Sequence, residues 1–94
     1  MFSIKDITPK NNVVLAPMSG ISDLPFRRAA ACFGAGLVVS EMVASEELAR
    51  ARPDVVRRAV GDGEIFPFVV QLAGREAKWL ARGAQLAEEA GADI

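Results

Sequence analysis

The chain has 94 residues, 51% of them hydrophobic, with 11 basic and 12 acidic side chains and a formal charge of −1. This is the composition of a soluble globular domain; it excludes a disordered or fibrous chain and shows no sign of the broad basic surface of a general nucleic-acid binder. One cysteine excludes an internal disulfide and fits a reducing, cytoplasmic setting, Met1-Phe2-Ser3-Ile4-Lys5-Asp6 lacks the pattern of a secretory leader, and no apolar run approaches the roughly 20 residues that cross a bilayer.

In chain order, Ile4–Thr8 reads as a short extra strand and Asn11-Asn12 as a turn. Val13–Ala16 is a strand that runs into a Pro17-Met18-Ser19-Gly20 turn. A helix follows over Asp23–Phe33, opening on Ser22, Asp23 and a proline in its first turn. The second strand is Leu37–Glu41, followed by a helical stretch from about Ser45 to Val60 that Pro53 must break or kink. Phe68–Leu72 is the third strand and Glu76–Ala90 the third helix. Leu37-Val38-Val39 and Phe68-Val69-Val70 are continuous apolar runs, the pattern of parallel strands buried on both faces. On the third helix Ala77, Leu80, Ala81, Ala84, Ala87 and Gly91 share a face, with Trp79 and Leu86 as a second apolar flank expected to stay exposed.

Gly34-Ala35-Gly36-Leu37 ends the first helix and begins the second strand, and Gly91-Ala92-Asp93-Ile94 repeats that grammar after the third helix. Ile94 therefore reads as the first residue of a fourth strand. The fold class is α/β: residues 1–94 are expected to form a partial domain of about three βα units, the N-terminal part of a TIM (β/α)8 barrel, for which about 250 residues are typical.

Such folds carry their chemistry at the carboxyl ends of the strands. Here those ends offer Pro17-Met18-Ser19, Ser40-Glu41-Met42 and Gln71, a mostly apolar pocket with a few polar groups. Proline donates no N–H and methionine is soft and polarisable, so the first turn suits a flat aromatic ligand better than a phosphate, which wants a run of glycine N–H groups. Each residue also has a plainer reading. Gln71 bonds a neighbouring loop, Glu41 pairs with an arginine such as Arg27, Met18 and Met42 fill the core, and Ser22 and Asp23 only cap the helix. Arg27 either lies on a solvated face or pins the loop above the pocket. Cys32 has no histidine to activate it and reads as a buried, inert thiol. The sequence has no metal-ligand cluster, catalytic triad or phosphate loop.

The segment Ala16-Pro17-Met18-Ser19-Gly20-Ile21-Ser22-Asp23-Leu24-Pro25-Phe26-Arg27 resembles the first motif of the tRNA-dihydrouridine synthases. Val39-Ser40-Glu41-Met42-Val43 is similar to their second strand, Phe68-Val69-Val70-Gln71-Leu72-Ala73-Gly74 to their third, and Gly91-Ala92-Asp93-Ile94 to the lead-in to their fourth, with the bacterial B-type branch most similar. Small departures are Ser19, where alanine is common, Gly74-Arg75-Glu76-Ala77 in place of an Asp-Pro helix start, and the lack of a histidine within residues 58–63. The resemblance implies an FMN-binding barrel followed by a helical tRNA-binding domain. In it, flavin reduced by NADPH or NADH delivers hydride to C6 of a tRNA uridine and a cysteine acid protonates C5. It implies FMN contacts at Pro17, Met18, Ser19 and Gln71, a pocket position for Glu41, and a catalytic cysteine just past Ile94 whose role Cys32 does not inherit. It implies no metal and no membrane. The alternatives are an FMN barrel of the old-yellow-enzyme type, which shares Ala-Pro-Met, and a non-catalytic truncated product. The isolated chain is expected to be inactive and to self-associate.

Overall fold

The computed structural model describes residues 2–94. Strand β1 (Val14–Leu15) pairs in parallel with β2 (Leu37–Val38), in the register Val14 to Leu37 and Leu15 to Val38. A parallel bridge from Val39 to Val69 joins this pair to the third apolar run. Beyond it, β3 (Val43–Ala44) pairs in parallel with β4 (Leu72–Ala73). The second and third expected strands are thus adjacent and parallel, but of Leu37–Glu41 only residues 37–39 pair, and of Phe68–Leu72 only Val69 and Leu72 pair, the latter in a strand that runs on to Ala73. Ladder pairing lapses over residues 40–42 and resumes at Val43. Across this gap the Ser40 hydroxyl takes the place of backbone pairing, accepting from the Gln71 N–H and donating to the Glu41 carbonyl.

Helix α1 (Leu24–Cys32) begins where expected. Asp23 is its N-cap, accepting from the Phe26 N–H at 2.9 Å, and Pro25 sits in the first turn, where its missing N–H costs nothing. The long helical stretch is split in two, α2 (Ser45–Ala49) and α3 (Pro53–Arg58), by a break that places Ala51 at φ +57 and leaves Pro53 to start the second piece. Helix α4 (Ala77–Glu89) is the longest element. Gly34 and Gly91 follow α1 and α4 with φ +103 and +102, the left-handed cap that glycine adopts without strain. Ile4 and Ile7 form only an antiparallel bridge, not a strand.

Val43, Leu48, Val55 and Ala59 form a buried cluster, and Val70, Leu72 and Leu86 pack against it. The core therefore lies between β3, β4 and helices α2, α3 and α4. Two side-chain expectations fail here. Trp79 and Leu86 are half-buried, whereas Ala77, Ala81 and Ala84 of α4 are exposed. The buried positions of α4 are Gly83 and Ala87, with Gly83 lying against Ser45 of α2, so close backbone approach sets the packed face and Trp79 and Leu86 flank it. Cys32, expected to be buried, is exposed.

Candidate functional site

Each strand end is built by a local turn. Residues 18–21 form a tight turn in which the Ile21 N–H donates to the Met18 carbonyl at 3.0 Å. Gly20, third in the turn, has φ +78, the value a type II turn demands there and one that side-chain-bearing residues rarely adopt. The Ser22 N–H also donates to the Met18 carbonyl, at 2.9 Å, and the Met18 N–H donates to Ser22 Oγ at 2.8 Å. Both backbone groups of Met18 are thereby used inside the turn. What Met18 offers outward is its side chain, 39% exposed. Ser19 is exposed beside it and Pro17 is half-buried.

The second strand end supplies the anchor. Glu41 is 9% exposed, and its Oε2 accepts from the Gly20 N–H at 2.6 Å. Its Oε1 lies 3.6 Å from Arg58 Nε. Arg27 is not its ion-pair partner. The Arg27 guanidinium is buried beneath the turn, donating to the Ser22 carbonyl at 3.2 Å and the Val60 carbonyl at 3.4 Å. Burial pulls the Arg27 pKa down from its ordinary value, and the carboxylates of Asp23, Asp62 and Glu41 oppose that shift. Asp62 accepts from the Glu64 N–H, from Arg28 and from the Ile65 N–H, which together lower its pKa to about 2.

The third strand end is tied to the second by Ser40. Its hydroxyl, fully buried, donates to the Glu41 carbonyl at 2.9 Å and accepts from the Gln71 N–H at 3.0 Å. The Gln71 carbonyl accepts from the Val43 N–H at 2.8 Å. The backbone of Gln71 is thus engaged while its side chain is exposed.

A connected path therefore runs from the 18–21 turn through Glu41 and Ser40 to Gln71, all along one edge of three parallel strands. Pro17, Met18 and Ser19 follow the first of these strands and Gln71 lies on the third, with the second strand between them. Glu41 belongs instead to a neighbouring cleft of about 500 Å3, lined also by Leu24, Arg27, Arg57, Arg58 and Val60. Met18 and Met42, at 39% and 50% exposed, are not core fillers. Cys32 lies at the opposite edge, since α1 runs back from the site, beside a cavity of about 390 Å3 lined by Lys10, Gly36 and Pro67. The sequence reading missed the roles of Ser22 and Ser40. A hydroxyl four residues after Met18 was the available signal for Ser22.

The model of one family, dihydrouridine synthase, matches residues 14–94, which include every residue of this path. The chain belongs to the dihydrouridine synthase family. It is 55% identical over 85 residues to a probable tRNA-dihydrouridine synthase of Rhizobium leguminosarum bv. phaseoli, covering 90% of this chain and 26% of that protein. Identity is 56% to a probable tRNA-dihydrouridine synthase of Rhodobacter capsulatus, covering 87% and 26% of the two chains. It is 45% to tRNA-dihydrouridine synthase B of Pseudomonas putida, covering 97% and 27%. The chain thus spans about a quarter of the length of these curated relatives. No solved structure matches it. Among the described residues no helix is long and apolar enough to cross a membrane, and no group of His, Cys, Asp or Glu is arranged to hold a metal ion.

Proposed function

We propose that these residues form one wall of an FMN site in a (β/α)8 barrel enzyme that reduces uridine to 5,6-dihydrouridine in tRNA, with NADPH or NADH as the reductant. The observation that carries this reading is the family match over residues 14–94 together with the bonded path from the 18–21 turn to Gln71. Ile94 supports the barrel. Its carbonyl accepts from the Val70 N–H at 3.0 Å, and the Asp93 and Ile94 N–H groups both reach the Phe68 carbonyl, at 2.8 and 3.3 Å. The N–H groups of Gly36 and Leu37 reach the Val13 carbonyl in the same way, at 2.9 and 3.2 Å, where a parallel strand begins.

These strand ends fit the flavin ring in chemistry. Pro17 and the Met18 side chain are an apolar wall with no free backbone donor, and the Gln71 amide offers one donor group and one acceptor to a polar ring edge. The exposed Ser19 adds a hydroxyl beside them. When bound, FMN supplies the hydride; the chain's own residues orient it and shield one face. Cys32 takes no part, being at the far edge, and the proton donor belongs to a segment after Ile94.

The test uses the full-length protein that carries these residues. Purified protein should hold flavin, and with NADPH under anaerobic conditions it should form dihydrouridine in unmodified tRNA, read by mass spectrometry of nucleosides. Protein that holds and reduces FMN yet leaves tRNA unchanged while reducing an activated alkene would favour the old-yellow-enzyme reading.

A further inference from the structure

We propose that Glu41 is a positioning residue whose carboxylate fixes the 18–21 turn, and that it does not itself touch the ligand. In a type II turn the N–H of the third residue points away from the turn and has no partner within it. Here that group, the Gly20 N–H, donates to Glu41 Oε2 at 2.6 Å. The bond joins a flexible glycine to a side chain that is 9% exposed and rooted between two paired stretches of strand. The second oxygen faces Arg58, which orients the carboxylate from the other side. The Met18 N–H is held independently by Ser22 Oγ. Met18 and Gly20 are thus clamped at two points, and Ser19 between them is left to face outward. One Glu41 oxygen is thus bonded to Gly20, and the other faces Arg58 at 3.6 Å in the cleft that Leu24 and Val60 also line.

The ligand side of this inference rests on the flavin reading; the turn-anchoring side does not. The test compares Glu41→Ala, Glu41→Gln and Arg58→Ala in the full-length protein. It reads amide hydrogen exchange in flavin-free protein and FMN affinity by quenching of flavin fluorescence. Loss of a hydrogen bond to a charged group predicts that Glu41→Ala speeds Gly20 exchange at least about tenfold and weakens FMN by a similar factor. The Gln amide oxygen accepts from the same N–H, so Glu41→Gln should stay within about fivefold of wild type in both. Arg58→Ala should leave the Gly20 exchange protected. Unchanged Gly20 exchange in Glu41→Ala overturns the proposal. So does a Glu41→Gln variant that keeps Gly20 protected yet loses FMN as fully as Glu41→Ala, since the carboxylate would then be a ligand contact. If Glu41→Ala does not fold, Glu41→Gln decides alone: Gly20 protected with FMN affinity within about fivefold of wild type supports the proposal, and Gly20 protected with FMN affinity lost more than about tenfold overturns it. If wild-type protein takes up no FMN, the flavin reading fails, and the exchange at Gly20 alone decides whether Glu41 holds the turn.

Discussion

Ser40 shows how one small side chain holds two strand ends together. Its buried hydroxyl pairs the Gln71 N–H and the Glu41 carbonyl at once. Ser40→Ala should therefore strand two backbone groups and lower the unfolding free energy by about 1–3 kcal/mol, measured by chemical denaturation. Gln71→Ala leaves that pair intact, because only its backbone takes part. It should weaken FMN binding by about 0.5–1.5 kcal/mol, the worth of a neutral hydrogen bond, with little change in stability. Cys32→Ala should leave dihydrouridine formation intact; its abolition in a folded variant would contradict the far-edge placement of Cys32. Asp62 gives a pH signature. Its folded pKa of about 2 lies below the unfolded value of about 3.9. Its contribution is thus fully present above about pH 4 and fades as the pH falls toward 2. The stability gap between wild type and Asp62→Asn should close over that interval. The strand ends themselves were legible, because Pro-Met-Ser and a glutamine each follow an apolar run. The partners that hold them were not, since the Glu41–Gly20 bond spans 21 positions and leaves no local pattern.

The packing of α2 on α4 turns on a single close approach. A Cβ built on Gly83 would lie 2.9 Å from Ser45 Oγ and 3.0 Å from Ser45 Cβ. Gly83→Ala, which in an open helix would add about 1 kcal/mol, should here cost about 1–3 kcal/mol through overpacking. Ser45 Oγ is itself buried without a partner. Ser45→Ala should therefore raise the melting temperature, and a fall would show that the hydroxyl has a role the packing does not reveal. Element positions were legible from apolar runs, caps and Pro53. Which face of α4 is buried was not, because that depends on the neighbour it meets, and its periodicity alone favoured the alanine stripe.

For the molecule as a whole, apolar surface remains uncovered. Phe33 is 93% exposed, Phe66 70% and Val13 62%. The 94-residue chain on its own should associate with rising concentration in sedimentation, since such side chains gain by meeting others. A monomer melting in one cooperative step would count against this. The α/β class and the parallel strand order could be read from unbroken apolar runs between helices. β1 keeps one open edge, whereas Asp93 and Ile94 already bond along much of the third run.

The two glycine-capped returns have a consequence for how the chain is made. One closes between Val13 and Leu37, the other between Phe68 and Ile94, each by the same pair of N–H groups reaching one carbonyl. A ribosome releases the first return entire before the second has been translated. Each is short enough to close without waiting for distant sequence. Folding during synthesis should therefore proceed by successive returns, and arrested nascent chains should gain protection at Gly36 and Leu37 before residue 68 emerges. Protection there only after Ile94 has emerged would show that the returns form together.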